Sequence, residues 1–268
     1  MKDIATSPTT KYILDKYNLN ALKKYGQNFL IDANVVNKIV NQTHIDKNTA
    51  VIEVGPGIGA LTQILGRSAG KVISFEIDER FEPVYKEFLN EDNIEIIFGD
   101  FLKQDIKSIV EELKDDYRRV YLVANLPYYI TTAIIEKIIL DNCQIDEMII
   151  MVQKEVALKM TSDYKNPLLL MIEDIGKIEY LFTVNKSVFL PAPHVDSAII
   201  KIRLDRGSDL KLYKVLNICF KQRRKTILNN LKQDYNNANE ILIACGIDIK
   251  KRSEELSLSD FKHITDII

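Results

Sequence analysis

The stretch TAVIEVGPGIGALTQILGRS, residues 49–68, decides how the chain is read. Val51 to Val54 is a short apolar run that ends at glycines, and an amphipathic segment follows, which is the pattern of strand, glycine-rich turn and helix. Glycines let a backbone turn tightly and approach a ligand closely. Gly55, Gly57 and Gly59 are spaced G-x-G-x-G, and Ala60 does not complete the G-x-G-x-x-G of a dinucleotide fingerprint. Outward from this turn the pattern repeats: KVISFEID, IEIIFGD, VYLVANLPYY and EMIIMVQKE read as strands, ERFEPVYKEFLN and ITTAIIEKIIL as helices. Such alternation predicts an α/β fold, a mostly parallel sheet with helices on both faces. YLFTVNKSVFLPAPHVDSAIIKIRL breaks the alternation and reads as an antiparallel closing pair around a proline-containing loop. Upstream, residues 8–42 read as helical with a break around Gly26, and Asp32 stands where it can cap NVVNKIVNQT. After Arg206-Gly207-Ser208 the texture turns to short helices. The expected division is therefore a main domain over 1–206, with an N-terminal helical extension, and a small all-α domain over 207–268.

A chain of 268 residues suits that plan, and its 46% hydrophobic content is ordinary for a globular protein. The net charge of −2 conceals an uneven distribution. Residues 46–116 hold 16 acidic and 8 basic side chains, whereas 201–232 hold 10 basic and 2 acidic. A basic block is the footprint of a polyanion partner, although many charge runs are only solvated helix faces. Cys143, Cys219 and Cys245 form no C-x-x-C, and His44, His194 and His263 are scattered, so neither a disulfide framework nor a metal site is expected. The polar N-terminus does not read as a signal peptide, and no apolar run reaches membrane-spanning length. A cytoplasmic setting with no membrane partner is the expectation.

In open α/β sheets ligands collect beyond the carboxyl ends of the strands. Those ends carry, in order, the glycine turn, Glu76, Asp100 with Phe101, and Asn125 to Tyr129. Glu76 lies 17 residues after Gly59 at the end of the next strand, where a carboxylate can accept both hydroxyls of a ribose. Asp78 and Glu79 are better explained as helix-start acids. Asp100 can accept from an adenine amino group, with Phe101 beside the ring. Ribose and adenine readers beside a turn that lacks the dinucleotide spacing point to an adenosine ligand other than NAD, and S-adenosylmethionine is the candidate.

These motifs together make the chain resemble a class I methyltransferase, and more narrowly the bacterial small-subunit ribosomal RNA adenine N6,N6-dimethyltransferases. GQNFLID (26–32), VIEVGPGIGALT, NLPYYITT, VFLPAPHVDSAIIKI (188–202), FKQRRKTILNNL (220–231) and RSEELSLSDF (252–261) match that family's stretches in the same order. The resemblance implies a Rossmann-like sheet, S-adenosylmethionine as cofactor, and dimethylation of two adjacent adenines in the 3′-terminal hairpin of 16S ribosomal RNA. The partner implied is the 30S subunit precursor, met by a monomer. Asn28 and Leu30 would approach the methionine end, Gly55 and Gly57 would form the loop beneath it, and Glu76 and Ile77 would hold the ribose side. Asp100 and Phe101 would hold the adenine, and Asn125 would stand where cofactor meets target. The chain departs from the family between VQKEVALKM and IEYLFTV, where TSDYKNPLLLMIED is shorter and Lys165 follows Tyr164 in place of a glycine.

The exocyclic amine of adenine is a poor nucleophile because its lone pair is delocalised into the ring. Acceptors aimed at its hydrogens favour the transition state, in which positive charge develops on nitrogen. Asn125 supplies a side-chain carbonyl and Leu126 a main-chain one, whose geometry Pro127 restricts. Tyr128 offers a stacking face, and the resemblance places Phe189 near the base as well. No general base need act before transfer, since the product ammonium is strongly acidic. The basic stretch, Lys221, Arg223, Arg224 and Lys225, reads as a helix face for RNA phosphates, joined by Lys23 and Lys24. Arg223 or Arg224 has an alternative role in pairing with acids of the main domain. Two other readings stand beside the leading one: a large-subunit (23S) adenine methyltransferase of the macrolide-resistance type, and a non-catalytic nucleic-acid-binding relative.

Overall fold

In the computed structural model, residues 3–126 and 130–268 are described, apart from the side chain of Lys23. The chain divides into two compact units. The first comprises residues up to Leu158 together with Glu179–Leu204, and the second comprises Lys159–Ile178 with Asp205–Ile268. A single cut after residue 206 leaves Lys159–Ile178 in the first unit, whereas it clusters with the C-terminal helices.

The sheet is built from β1 (Thr49–Val54), β2 (Lys71–Glu76), β3 (Ile94–Phe98), β4 (Arg119–Asn125), β5 (Glu147–Gln153), β6 (Gly176–Val184) and β7 (Ser197–Leu204). Their order is β3-β2-β1-β4-β5-β7-β6. The pairs β2–β3, β1–β2, β1–β4 and β4–β5 are parallel, and β7 runs antiparallel to β5. All six residues of β1 are buried, as expected of a central strand covered on both faces. Helices α1 (Ser7–Lys16), α2 (Ala33–Asn41), α3 (Ala60–Ser68), α4 (Glu82–Phe88), α5 (Ile106–Asp116), α6 (Thr131–Leu140) and α7 (Lys154–Met160) accompany these strands. The Asp32 carboxylate accepts from the Asn34 and Val35 amides and starts α2, as its position predicts.

The N-terminal region departs from the helical reading in one instructive way. Phe29-Leu30 is a two-residue strand, paired antiparallel with Phe189-Leu190. This pairing joins segments about 160 residues apart and brings the GQNFL motif against the FLPAP motif, which no local pattern announces. Phe29 and Phe189 are buried, and Phe29 meets Phe81 edge-on at 5.9 Å.

The second unit contains α8 (Pro167–Ile175), α9 (Leu210–Phe220), α10 (Ile227–Leu231), α11 (Ala238–Ala244) and α12 (Leu258–Ile267). Phe220 and Phe261 pack at 5.6 Å, and the buried Asp174 carboxylate takes ion pairs from Arg206 and Lys262. The basic stretch 221–225 is not on a helix. It forms the turn between α9 and α10, because the helical hydrogen-bond pattern stops where buried Asn230 bonds both backbone groups of Gln222.

Candidate active site at the strand ends

The strand order reverses between β1 and β4, the point at which an open α/β sheet leaves a crevice beyond its carboxyl ends. A cavity of about 240 Å³ occupies it. Its walls include Asn28, Leu30, Gly55, Gly57, Glu76, Ile77, Asp100, Phe101, Asn125, Leu126 and Phe189, so every described residue expected at the cofactor or the target base lines one space. Pro127 and Tyr128, expected beside the target base, lie outside the described residues.

The floor is the turn after β1. Gly55, Gly57 and Gly59 have φ of 69°, 58° and 88°, in the left-handed region where a side chain is strained. The Gly57 N–H donates to Glu76 Oε2 at 3.0 Å, and the Asp78 N–H donates to Oε1 at 2.9 Å. Each carboxylate oxygen thus has one backbone donor and a further lone pair to offer, the acceptor pattern that suits a vicinal diol. Burial pushes the Glu76 carboxyl up to about 7 against the pull of the Asp78 and Gly57 amides. Glu53, fully buried on β1, also lines the cavity and is also pushed up to about 7 by burial. It sits in register with Ser74, whose hydroxyl donates to it at 2.7 Å.

Asp100 Oδ1 accepts from the Leu102 amide and so caps the 3-10 turn after β3, while the carboxylate still borders the cavity. Phe101 is packed edge-on against Phe75 at 5.3 Å and is buried. Ile77, by contrast, is 47% exposed beside Glu76 and presents an apolar face. Asn125 Nδ2 donates to the Asn28 carbonyl at 3.4 Å, which leaves Oδ1 as the acceptor the side chain can present. Leu126 is buried at the same wall. Gln27 was not singled out from sequence; it takes the Leu22 amide on Oε1 and donates to Asp78 Oδ2, both at 2.8 Å. Arg80 closes on the same Asp78 carboxylate at 2.6 and 2.8 Å, so the 22–28 segment is tied to the end of β2. The G-Q-N run marked this segment, but nothing local pointed to Asp78 as its anchor.

The described lining holds three acids, Glu53, Glu76 and Asp100, and no Lys, Arg or His. Such a wall disfavours the pyrophosphate of a dinucleotide and suits a ligand with a ribose diol, an adenine and a positive charge. S-adenosylmethionine, a sulfonium, has all three, so the donor set fits it. Among the described residues, no three His, Cys, Asp or Glu side chains gather as metal ligands, and no helix is long and apolar enough to cross a membrane.

Of the basic residues, Lys24 lies over the Tyr25 ring at 4.3 Å, and Lys23 belongs to the same 3-10 turn. Lys221 pairs loosely with Asp234 at 3.9 Å. Arg223 stacks on the Tyr164 ring at 4.7 Å and donates to its hydroxyl, while Lys159 approaches the same ring at 4.1 Å. Arg224 and Lys225 are exposed on the turn. Lys165 donates to the Leu256 carbonyl at 2.8 Å.

A parallel sheet extended by an antiparallel strand, with an acidic cavity at its strand ends, defines a class I methyltransferase. The ribosomal RNA adenine dimethylase family model matches residues 18–268, and the chain belongs to that family. It is 40% identical over 285 residues to a Bacillus pumilus protein named ribosomal RNA small subunit methyltransferase A, covering 100% of this chain and 98% of that one. Among solved structures, a dimethyladenosine transferase from Plasmodium falciparum is 27% identical with a TM-score of 0.69, over 88% of this chain and 95% of that one. The 23S rRNA methyltransferase ErmE is 25% identical with a TM-score of 0.65, over 89% and 98%.

The buried acids give a stability prediction. A carboxyl raised in the fold from 4.5 to about 7 contributes stability that is complete below about pH 4.5 and is lost as pH rises through 7. Glu53→Gln removes that titration while keeping an acceptor for Ser74. Thermal melts of the ligand-free protein are expected to show the variant melting a few °C above wild type at pH 8, with the gap narrowing below about pH 7 and closing toward about pH 4.5.

Proposed function

We propose that this chain transfers methyl groups from S-adenosylmethionine to the exocyclic N6 of two adjacent adenines in the 3′-terminal hairpin of 16S ribosomal RNA. The single observation that carries the proposal is the acidic cavity at the strand switch, with Glu76 held by two backbone amides and Asn125 tethered at the opposite wall. The cofactor, when bound, supplies an electrophilic methyl on a positively charged sulfur. Glu76 accepts the ribose hydroxyls, Asp100 the adenine amino group, and Ile77 packs beside them. Gly55 and Gly57 bring backbone close to the ligand, with Asn28 and Leu30 at its other end. Asn125 Oδ1 and the Leu126 carbonyl accept from the target amine as charge develops on its nitrogen. Pro127 restricts Leu126, and Tyr128 and Phe189 confine the base. A stacked aromatic contributes roughly 1–3 kcal/mol per base. The adenine must leave its stack, or lie in a loop, to enter.

The turn 221–225 serves as the phosphate-contacting surface. Asn230 fixes the backbone of the turn at Gln222 and Tyr164 orients Arg223, so this guanidinium is held in place. Lys23 and Lys24 join the RNA-facing set, and the protein works as a cytoplasmic monomer on 16S RNA within the 30S precursor. The small-subunit relatives at 40% identity over the full length favour this reading over the 23S activity printed for ErmE.

Mass mapping of ribosomal RNA with and without the gene tests the substrate. Paired dimethyladenosines near the 3′ end of 16S RNA should vanish on deletion; loss of a 23S mark instead would reverse the assignment. Asn125→Ala is expected to abolish methylation while cofactor affinity stays within a few-fold, and normal turnover would remove Asn125 from its role. Because Glu76 must be ionised to accept two hydroxyls, affinity for S-adenosylhomocysteine should fall below about pH 7, by up to about tenfold per unit. A flat titration between pH 6 and 8 would contradict this. Replacing Arg223 and Arg224 with Ala should weaken RNA binding and flatten its salt dependence by up to about two phosphate contacts.

A further inference from the structure

Tyr85 stands on α4, outside every stretch that marks the site in sequence, and 28 residues beyond the glycine turn it touches. Its ring is almost wholly buried, 6.3 Å from Phe81 and stacked on Phe98 at 6.1 Å. The hydroxyl emerges from this aromatic layer beside the floor of the cavity. It lies 2.6 Å from the Gly57 carbonyl and 3.5 Å from Glu76 Oε2. A phenol has one proton to give, and the shorter contact takes it. Gly57 is then held on both sides of its Cα: the N–H of the preceding peptide by Glu76 Oε2 at 3.0 Å, and the carbonyl of the following peptide by Tyr85. Gly57 carries φ of +58° and has no side chain of its own to fix that orientation.

We propose that Tyr85 is a positioning residue for cofactor binding: by holding the Gly57 carbonyl, its hydroxyl fixes the peptide that follows Gly57 and so limits the Gly57 torsions, which keeps the N–H of the preceding peptide aimed at Glu76. The carboxylate is thereby fixed with its remaining lone pairs turned toward the ribose hydroxyls. The proposal rests on the adenosyl reading of the cavity and adds a residue to it. A tyrosine present only to fill the core would need no hydroxyl here, because Phe has the same ring and packs against the same two neighbours.

Tyr85→Phe removes one oxygen and tests the point. Affinity for S-adenosylhomocysteine, measured by calorimetry, should fall roughly 3- to 10-fold, the worth of one buried hydrogen bond. The rise in melting temperature that S-adenosylhomocysteine produces should shrink accordingly. In turnover the KM for S-adenosylmethionine should rise while kcat at saturation stays near wild type. Phe98→Leu, which loosens the same aromatic layer without touching the hydroxyl, should lower the melting temperature and leave affinity unchanged. Equal melting losses with and without ligand in Tyr85→Phe, at unchanged affinity, would reduce the residue to core packing and overturn the proposal. So would an affinity loss in Phe98→Leu as large as in Tyr85→Phe. A wild-type protein whose melting does not respond to S-adenosylhomocysteine would instead overturn the adenosyl reading itself, and Tyr85's role with it.

Discussion

The hydrogen bond from the Gly57 amide to the Glu76 carboxylate joins the ends of two adjacent parallel strands at the floor of the cavity. The rest of the site depends on it. A turn with three positive-φ residues in five positions has little intrinsic preference for one shape, since glycine gives up more backbone freedom on folding than any other residue. Something outside the turn must select its shape. Glu76 does so from β2 and Tyr85 from α4, through the two peptides that flank the Gly57 Cα. In return the turn orients the carboxylate, so the loop under the ligand and the acid beside it form one unit. Moving either would move both.

The opposite wall is assembled by a different device. The Phe29-Leu30 and Phe189-Leu190 ribbon is only two residues long on each side, too short to be stable by its own hydrogen bonds. Burial of both phenylalanines anchors it, and the Gln27–Asp78–Arg80 contacts tie its N-terminal side to the end of β2. Asn28 is consequently placed where its carbonyl can take the Asn125 amide. A segment near the N-terminus, one near residue 190 and two strand ends converge on one space, so each wall is supported by an element distant in sequence.

This explains which parts of the site were legible. Alternation of apolar runs with turn signals gave β1 to β5, because period and punctuation are local properties. Glu76, Asp100 and Asn125 could be picked out because position at a strand end follows from the strand itself. Tyr85 could not, since on its helix it is one more apolar residue in the core-facing stripe, and its hydroxyl acquires meaning only from a carbonyl 28 residues away. Asp78 was read correctly as a helix-start acid, but only in part, for the opposite reason. An acid at a helix start has a sufficient local explanation, and it does cap the Arg80 amide, yet the same carboxylate also receives Gln27. The basic stretch was misassigned to a helix because its neighbours on both sides are helical; Asn230, which ends the pattern by bonding the Gln222 backbone, reads in sequence as an unremarkable polar residue.

Two carboxyls buried within one small region, Glu53 and Glu76, are an arrangement that stability alone would not favour. Burial disfavours the charged form of each, the Glu76 charge adds to the cost of ionising Glu53, and the Asp78 charge adds to that of Glu76. Glu76 has backbone donors that the fold positions for an anion, so its ionised state is prepared even where burial opposes it. Glu53 has the hydroxyl of Ser74, a weaker support for charge. Entry of a sulfonium changes the balance, because a cation in the cavity favours both carboxylates and a diol supplies Glu76 with further donors. Ionising these two buried acids therefore carries an electrostatic cost that a cationic adenosyl ligand would relieve and a neutral one would relieve less. After methyl transfer the sulfur is neutral, so the same acids that favour binding of the charged cofactor have less hold on the product. The cavity's charge thus favours the exchange of spent for fresh cofactor that two successive methylations at each adenine require.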